Sequence, residues 1–126
     1  MLVRGIRGAT TVESNTRDAI LQAARELLQA IEDANGFERD HVASILFSTT
    51  ADLNAEFPAV AARELGWTST ALECVHEMNV PGSLPMCLRI LMHVNTERTP
   101  HEIQHIYLRG ARALRPDLAQ KQEATS

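Results

Sequence analysis

Lysine is all but missing from this chain. Of its twelve basic residues only Lys121 is a lysine, and the other eleven are arginines. An arginine fork grips carboxylates and phosphates in a plane that an ammonium cannot match, so the bias permits an anion site. A GC-rich coding sequence is the plainer source of it, and the bias by itself shows no site. Cysteine is scarce too. Cys74 and Cys87 fit neither a CxxC metal pair nor a disulfide framework, and both read as reduced thiols. No stretch approaches the ~20 consecutive apolar residues that a membrane-spanning helix needs. Residues 1–8 carry Arg4 and Arg7 with no long apolar run behind them, which argues against a secretory signal. The expected compartment is the cytoplasm. Excess positive charge is lacking as well, and a net charge of -4 argues against a nucleic-acid binder. P-loop, dinucleotide fingerprint and G-x-S-x-G elbow are all absent from the sequence. An enzyme reading must therefore do without a nucleotide, a metal or an obvious nucleophile, and no cofactor is expected.

What is present is ordinary for a globular protein. The 126 residues are 44% apolar and 22% charged, which suits one domain able to bury a core without metals or disulfides. That domain is expected over 1–118, with a polar, flexible tail over 119–126. A strand is predicted over 2–12. Thr16 can cap a helix that carries Ile20, Ala24, Leu27, Leu28 and Ile31 at helical spacing and stops at Gly36. A buried strand is predicted over 42–47, a helix from Pro58 to Gly66, a strand over 71–75 and a turn at Pro81-Gly82. The strand over 87–94 is the clearest, with Leu88, Ile90, Met92 and Val94 on one face and Cys87, Arg89, Leu91 and His93 on the other. A helical turn at Pro100 and a strand over 106–108 follow. This order predicts an α/β domain, a mixed sheet with helices packed on one face. The other face needs a partner, and an oligomer is a natural solution.

Arg89 is the most informative residue from pattern alone. A mid-strand arginine must reach solvent, an acid or an anionic ligand, and the pattern leaves all three open. Glu77, at a strand end before a turn, reads equally as a surface carboxylate. Arg7, between Gly5 and Gly8, reads as an exposed strand residue or a ligand contact, and Tyr107 as a half-buried aromatic. His101-Glu102-Ile103-Gln104-His105 matches H-E-x-x-H. That chemistry needs both histidines on one face of a stable helix and a third ligand. Pro100 and the strand-like Ile106-Tyr107-Leu108 leave no room for such a helix, so the match reads as chance.

Five ordered blocks resemble the AroH-type chorismate mutases. They begin with Val3-Arg4-Gly5-Ile6-Arg7-Gly8-Ala9-Thr10-Thr11-Val12. Next come Asp52-Leu53 with Phe57-Pro58-Ala59 and Arg63-Glu64-Leu65. The central block is Cys74-Val75-His76-Glu77-Met78 with Val80-Pro81-Gly82-Ser83-Leu84. Cys87-Leu88-Arg89-Ile90 follows, and His105-Ile106-Tyr107-Leu108 with Leu114-Arg115-Pro116-Asp117-Leu118 closes the set. The resemblance implies a homotrimeric pseudo-barrel with active sites between subunits and rearrangement of chorismate to prephenate. It implies Arg89 on the ether oxygen and a carboxylate, and Glu77 on the ring hydroxyl. Arg7 and Tyr107 would hold the side-chain carboxylate, and the Cys74 backbone would complete the hydroxyl end. Phe57 would pack on the substrate, with Arg63, Leu114 and Arg115 near the mouth.

Two departures stand out. Val60 occupies a position where some relatives carry a charge, and a single Gly66 separates Leu65 from Trp67. Other readings of the same cleft are a small trimeric deaminase or hydrolase, or a metabolite-binding module without turnover.

Overall fold

The computed structural model describes residues 1–117, so the expected tail lies outside the described residues. Five strands form one mixed sheet: β1 (Leu2–Thr11), β2 (Val42–Thr49), β3 (Ala71–His76), β4 (Cys87–Thr96) and β5 (Ile106–Tyr107), in the order β3-β2-β4-β1-β5. β4 runs antiparallel to β1 and β2, while β1/β5 and β2/β3 are parallel. The helices α1 (Arg17–Asn35) and α2 (Ala59–Glu64) serve as the crossovers of a β1-α1-β2-α2-β3 run.

α1 begins where expected. The Thr16 hydroxyl accepts the Ala19 N–H at 3.2 Å, and Asp18 lies in the positive first turn. It ends at Gly36, whose φ of 59° is left-handed backbone that costs glycine nothing. Ile20, Leu21, Ala24, Leu27, Leu28 and Ile31 are buried against the sheet. There they meet Ile6, Leu88, Ile90, Met92 and Val94 in a single cluster with Ile45, Phe47, Leu53 and Trp67. Gly8 lets α1 come this close. A Cβ there would sit 2.7 Å from Ile31 Cδ1, 3.1 Å from Leu27 Cδ1 and 3.3 Å from the Ile106 carbonyl oxygen. Gly5, by contrast, has only ordinary space around it.

Several elements differ from the sequence expectation, among them β4, which runs on to Thr96, and a 3₁₀ turn over Arg39–His41 that was not foreseen. β2 runs two residues past Phe47, because the polar Ser48 and Thr49 still pair with β3 and β4. α2 is short, closing at Glu64 with Gly66 at φ 94°. A 3₁₀ segment over Arg109–Leu114, not foreseen, folds back over the second sheet face. There Ala9, Cys87, Tyr107 and Ala111 form a small cluster joined by Leu84 and Leu114. No helix among the described residues is long and apolar enough to cross a membrane.

Candidate active site

Register builds the site. On the face away from α1, one lateral row crosses all five strands: Tyr107 beside Ala9, Ala9 beside Arg89, Arg89 beside Ser48 and Ser48 beside Val75. Ala9 is the smallest member, and its size leaves space between the arginine and the phenol. Arg7 lies two residues before Ala9 on the same face, opposite Leu91. Arg7, Arg89, Tyr107, Ser48 and Glu77 together line a groove of about 260 Å³.

Arg89 and Glu77 form its charged centre. Arg89 Nε lies 3.3 Å from Glu77 Oε2, and both side chains keep about a third of their surface open (38% and 36%). The contact is an ion pair without hydrogen-bond alignment, because Nε is shielded from water and has no hydrogen-bond acceptor. Glu77 is held in place by its own neighbourhood. Its N–H donates to the Thr49 carbonyl at 2.7 Å, its Oε1 accepts the Met78 N–H at 3.1 Å, and its Oε2 accepts the Ser48 hydroxyl at 3.4 Å. A carboxylate and a guanidinium are thus presented together to one opening, where each can serve a different part of a polar ligand.

The strand ends are locked by Asp52. Its carboxylate accepts the Met86 N–H at 3.0 Å and the Thr50 hydroxyl, while Thr50 Oγ1 accepts the Cys87 N–H at 3.0 Å. The Thr50 hydroxyl bond, and then the Met86 N–H, hold the Asp52 carboxyl below its ordinary range. This clasp keeps Met86 at φ 52° and fixes where β4 begins, two residues before Arg89.

The other expected residues lie apart from this groove. Phe57 and Cys74 line a second groove of about 310 Å³, between the 50–58 loop and the end of β3. Phe57 is 66% exposed. Burial pushes the Cys74 thiol up, opposed by the Ala59 N–H at the start of α2 and by the charge of Arg63. The thiol is thus not an activated nucleophile. Arg63 is exposed on α2, and Val60 is half-buried and packed on the core. Leu114 joins the cluster of Tyr107, and Arg115 is bound to Asp117 at 3.1 Å.

The H-E-x-x-H segment forms no α-helix: a single 3₁₀ turn over Pro100–Glu102 gives way to extended backbone at Ile103. Glu102 caps Thr99, accepting its N–H at 2.9 Å, and His105 Nδ1 accepts the Arg7 N–H at 3.0 Å. Among the described residues no group of three metal-ligating side chains comes together. Pattern reasoning missed Ser48 and Asp52 as site-shaping residues. Only the strand register of Ser48 could have flagged it.

A family model, chorismate mutase type I, matches residues 3–118. The chain belongs to this family. It is 46% identical to chorismate mutase AroH of Bacillus subtilis over 120 residues, covering 94% of each chain. It is 47% identical to chorismate mutase AroH of Thermus thermophilus over 122 residues, covering 96% of this chain and all of that one. Among solved structures it superposes on a chorismate mutase from Clostridium thermocellum with a TM-score of 0.86 at 52% identity, covering 87% of this chain and 98% of that one. As a chorismate mutase the protein is an isomerase, and the mixed five-stranded sheet with helices on one face is that family's fold.

Proposed function

We propose that this chorismate mutase converts chorismate to prephenate in the groove of Arg89, Glu77, Arg7 and Tyr107. The observation that carries the reading is the Arg89–Glu77 pair at 3.3 Å, about a third exposed beside an open groove and flanked by a second arginine. The rearrangement breaks the ether C–O bond as a C–C bond forms, within one molecule and with no proton transferred. A protein therefore contributes conformational selection and electrostatic stabilisation. Arg89 donates to the ether oxygen as negative charge grows there, and to a carboxylate. Glu77 accepts a hydrogen bond from the ring hydroxyl and faces the positive charge developing on the ring, with the Cys74 backbone, contributed like Phe57 by a neighbouring subunit, completing that end. Arg7 and Tyr107 hold the side-chain carboxylate.

The active unit is a homotrimer with the site between subunits. Two observations support this. Phe57 and Arg63 do not reach the arginine groove on their own chain, so they serve a neighbour's groove at the mouth, with Leu114 and Arg115 closing the other side. Val75, Met78 and Val80 are exposed apolar residues beside the same groove, which suits a subunit contact.

The test is the loss of chorismate's ultraviolet absorbance on adding purified protein in chelator, with prephenate identified as product. Saturable turnover supports the reading. A folded oligomer that binds chorismate without converting it would leave a metabolite-binding module instead.

A further inference from the structure

We infer that His105 is a positioning residue for Arg7, its imidazole replacing the strand partner that β1 lacks at that point. The inference rests on the proposed role of Arg7 as a carboxylate ligand.

Among the described residues β1 is the only strand that β5 pairs with, and the parallel pairing covers Gly8–Ile106 and Ala9–Tyr107. One residue earlier the ladder has run out. The Arg7 N–H points toward the β5 side, where among the described residues no further strand residue pairs with it, and His105 Nδ1 accepts it at 3.0 Å. On its other side β1 is held by β4, with Ile6 buried and Arg7 opposite Leu91, so without this acceptor the Arg7 backbone would keep its β4 pairing and lose its anchor on the β5 side. The lone pair on Nδ1 does the work, which puts the ring proton on Nε2.

The ring is itself held by the backbone behind it. Gln104, the preceding residue, has both backbone groups bound by the buried Asn35. Its N–H donates to Asn35 Oδ1 at 2.9 Å, and its carbonyl accepts Asn35 Nδ2 at 3.0 Å. Asn35 Nδ2 also donates to the Ile31 carbonyl at 2.9 Å, which ties this junction to the last turn of α1. The chain of contacts runs from the helix end through Asn35 and Gln104 to the His105 ring, and from there to the backbone of Arg7. A guanidinium several bonds out on a flexible stem is aimed by its Cα, so fixing that backbone selects where the fork can reach.

A positioning role separates from a merely structural one in the kinetics. His105→Leu removes the acceptor at similar bulk. His105→Asn returns an amide oxygen near the place of Nδ1. With chorismate as substrate, His105→Leu is expected to raise KM by about 5- to 20-fold with kcat within about 3-fold of the wild type. His105→Asn should return KM to within about 2-fold. In an Arg7→Ala background, adding His105→Leu should change KM no further, because the effect passes through Arg7. Should His105→Leu fail to fold, His105→Gln, which carries its amide one bond too far, takes its place in each comparison. A wild-type KM in the variant without the acceptor, an Asn variant no better than it, or additive losses in the Arg7→Ala background would each overturn the inference. The wild-type protein is the control for the function itself. If it does not turn over chorismate, the proposed function has failed rather than the positioning role.

Discussion

Ser48 and Arg89 face each other across the β2–β4 pairing, and both reach Glu77, the serine through its hydroxyl and the arginine through its guanidinium. The three side chains make one unit, in which the hydroxyl steadies the carboxylate while the cation is left with its Nε unbonded. The arginine side chain stays 38% exposed beside the groove, which leaves its remaining N–H groups able to donate to a new acceptor. Arg89→Ala is therefore expected to lower kcat by at least about 10²- to 10³-fold in an assay of chorismate turnover. Arg89→Lys should also be poor, since one ammonium cannot replace the fork. Near-normal turnover by a folded Arg89→Ala oligomer would remove this residue from the reaction.

Gly8 governs how closely α1 packs on the sheet. A methyl group there meets the ends of Ile31 and Leu27, which can shift, and the Ile106 carbonyl oxygen at 3.3 Å, which belongs to the β1–β5 pairing and cannot move without breaking it. Gly8→Ala is expected to cost about 1–3 kcal/mol, the usual penalty for overpacking. Urea denaturation at fixed protomer concentration measures it, and an unchanged midpoint would mean that the helix retreats freely.

These tests bear on what a sequence can disclose. The apolar alternation of Leu88, Ile90, Met92 and Val94 was enough to locate β4 and to say that Arg89 faces the other way, because a period of two is local information. The cap at Thr16 and the stop at Gly36 were legible for the same reason. The lateral row from Tyr107 through Ala9, Arg89 and Ser48 to Val75 was not, since it depends on the register of four separate pairings. The 3₁₀ segment over Arg109–Leu114 is too short to show any periodicity. Pattern marked Arg7, Glu77, Arg89 and Tyr107 one at a time, each with a plainer explanation. Grouping them came from the family resemblance, and the structure brings those four into one groove while leaving Phe57 and Cys74 in another. His105 was noticed for the wrong partner, because the motif it completes is read along a helix that does not form.

Asp52 supplies a pH test. Its carboxyl is lowered by the Thr50 hydroxyl and the Met86 N–H, so the folded state favours the charged form more than the unfolded chain does. A group depressed in this way contributes stability that is fully present above the ordinary aspartate pKa near ~4 and is lost as pH falls through its folded value. The stability gap between wild type and Asp52→Asn is expected to be constant near neutral pH and to close in acid, from about pH 5 downward. Thermal melts of the two proteins across that range read it directly. A gap independent of pH would show that the charge contributes nothing to the clasp at Met86.

Trp67 sets two opposing costs against each other. The indole is 2% exposed and packs beside Phe37 and under the Arg39 guanidinium, whose central carbon lies 4.6 Å from the ring centroid. Its Nε1 is buried with no hydrogen-bond partner, a donor removed from water at a cost of about 1–3 kcal/mol. Trp67→Phe removes that donor and keeps an aromatic face for Arg39, but leaves a small void. The terms nearly cancel, and a net change within about 1 kcal/mol is expected, against about 3–5 kcal/mol for Trp67→Ala, which opens a large cavity and loses the cation–π contact. Denaturant unfolding of both variants at the same protomer concentration decides the matter. If Trp67→Phe proved as damaging as Trp67→Ala, the indole nitrogen would have to be bonded in solution, most simply to a buried water.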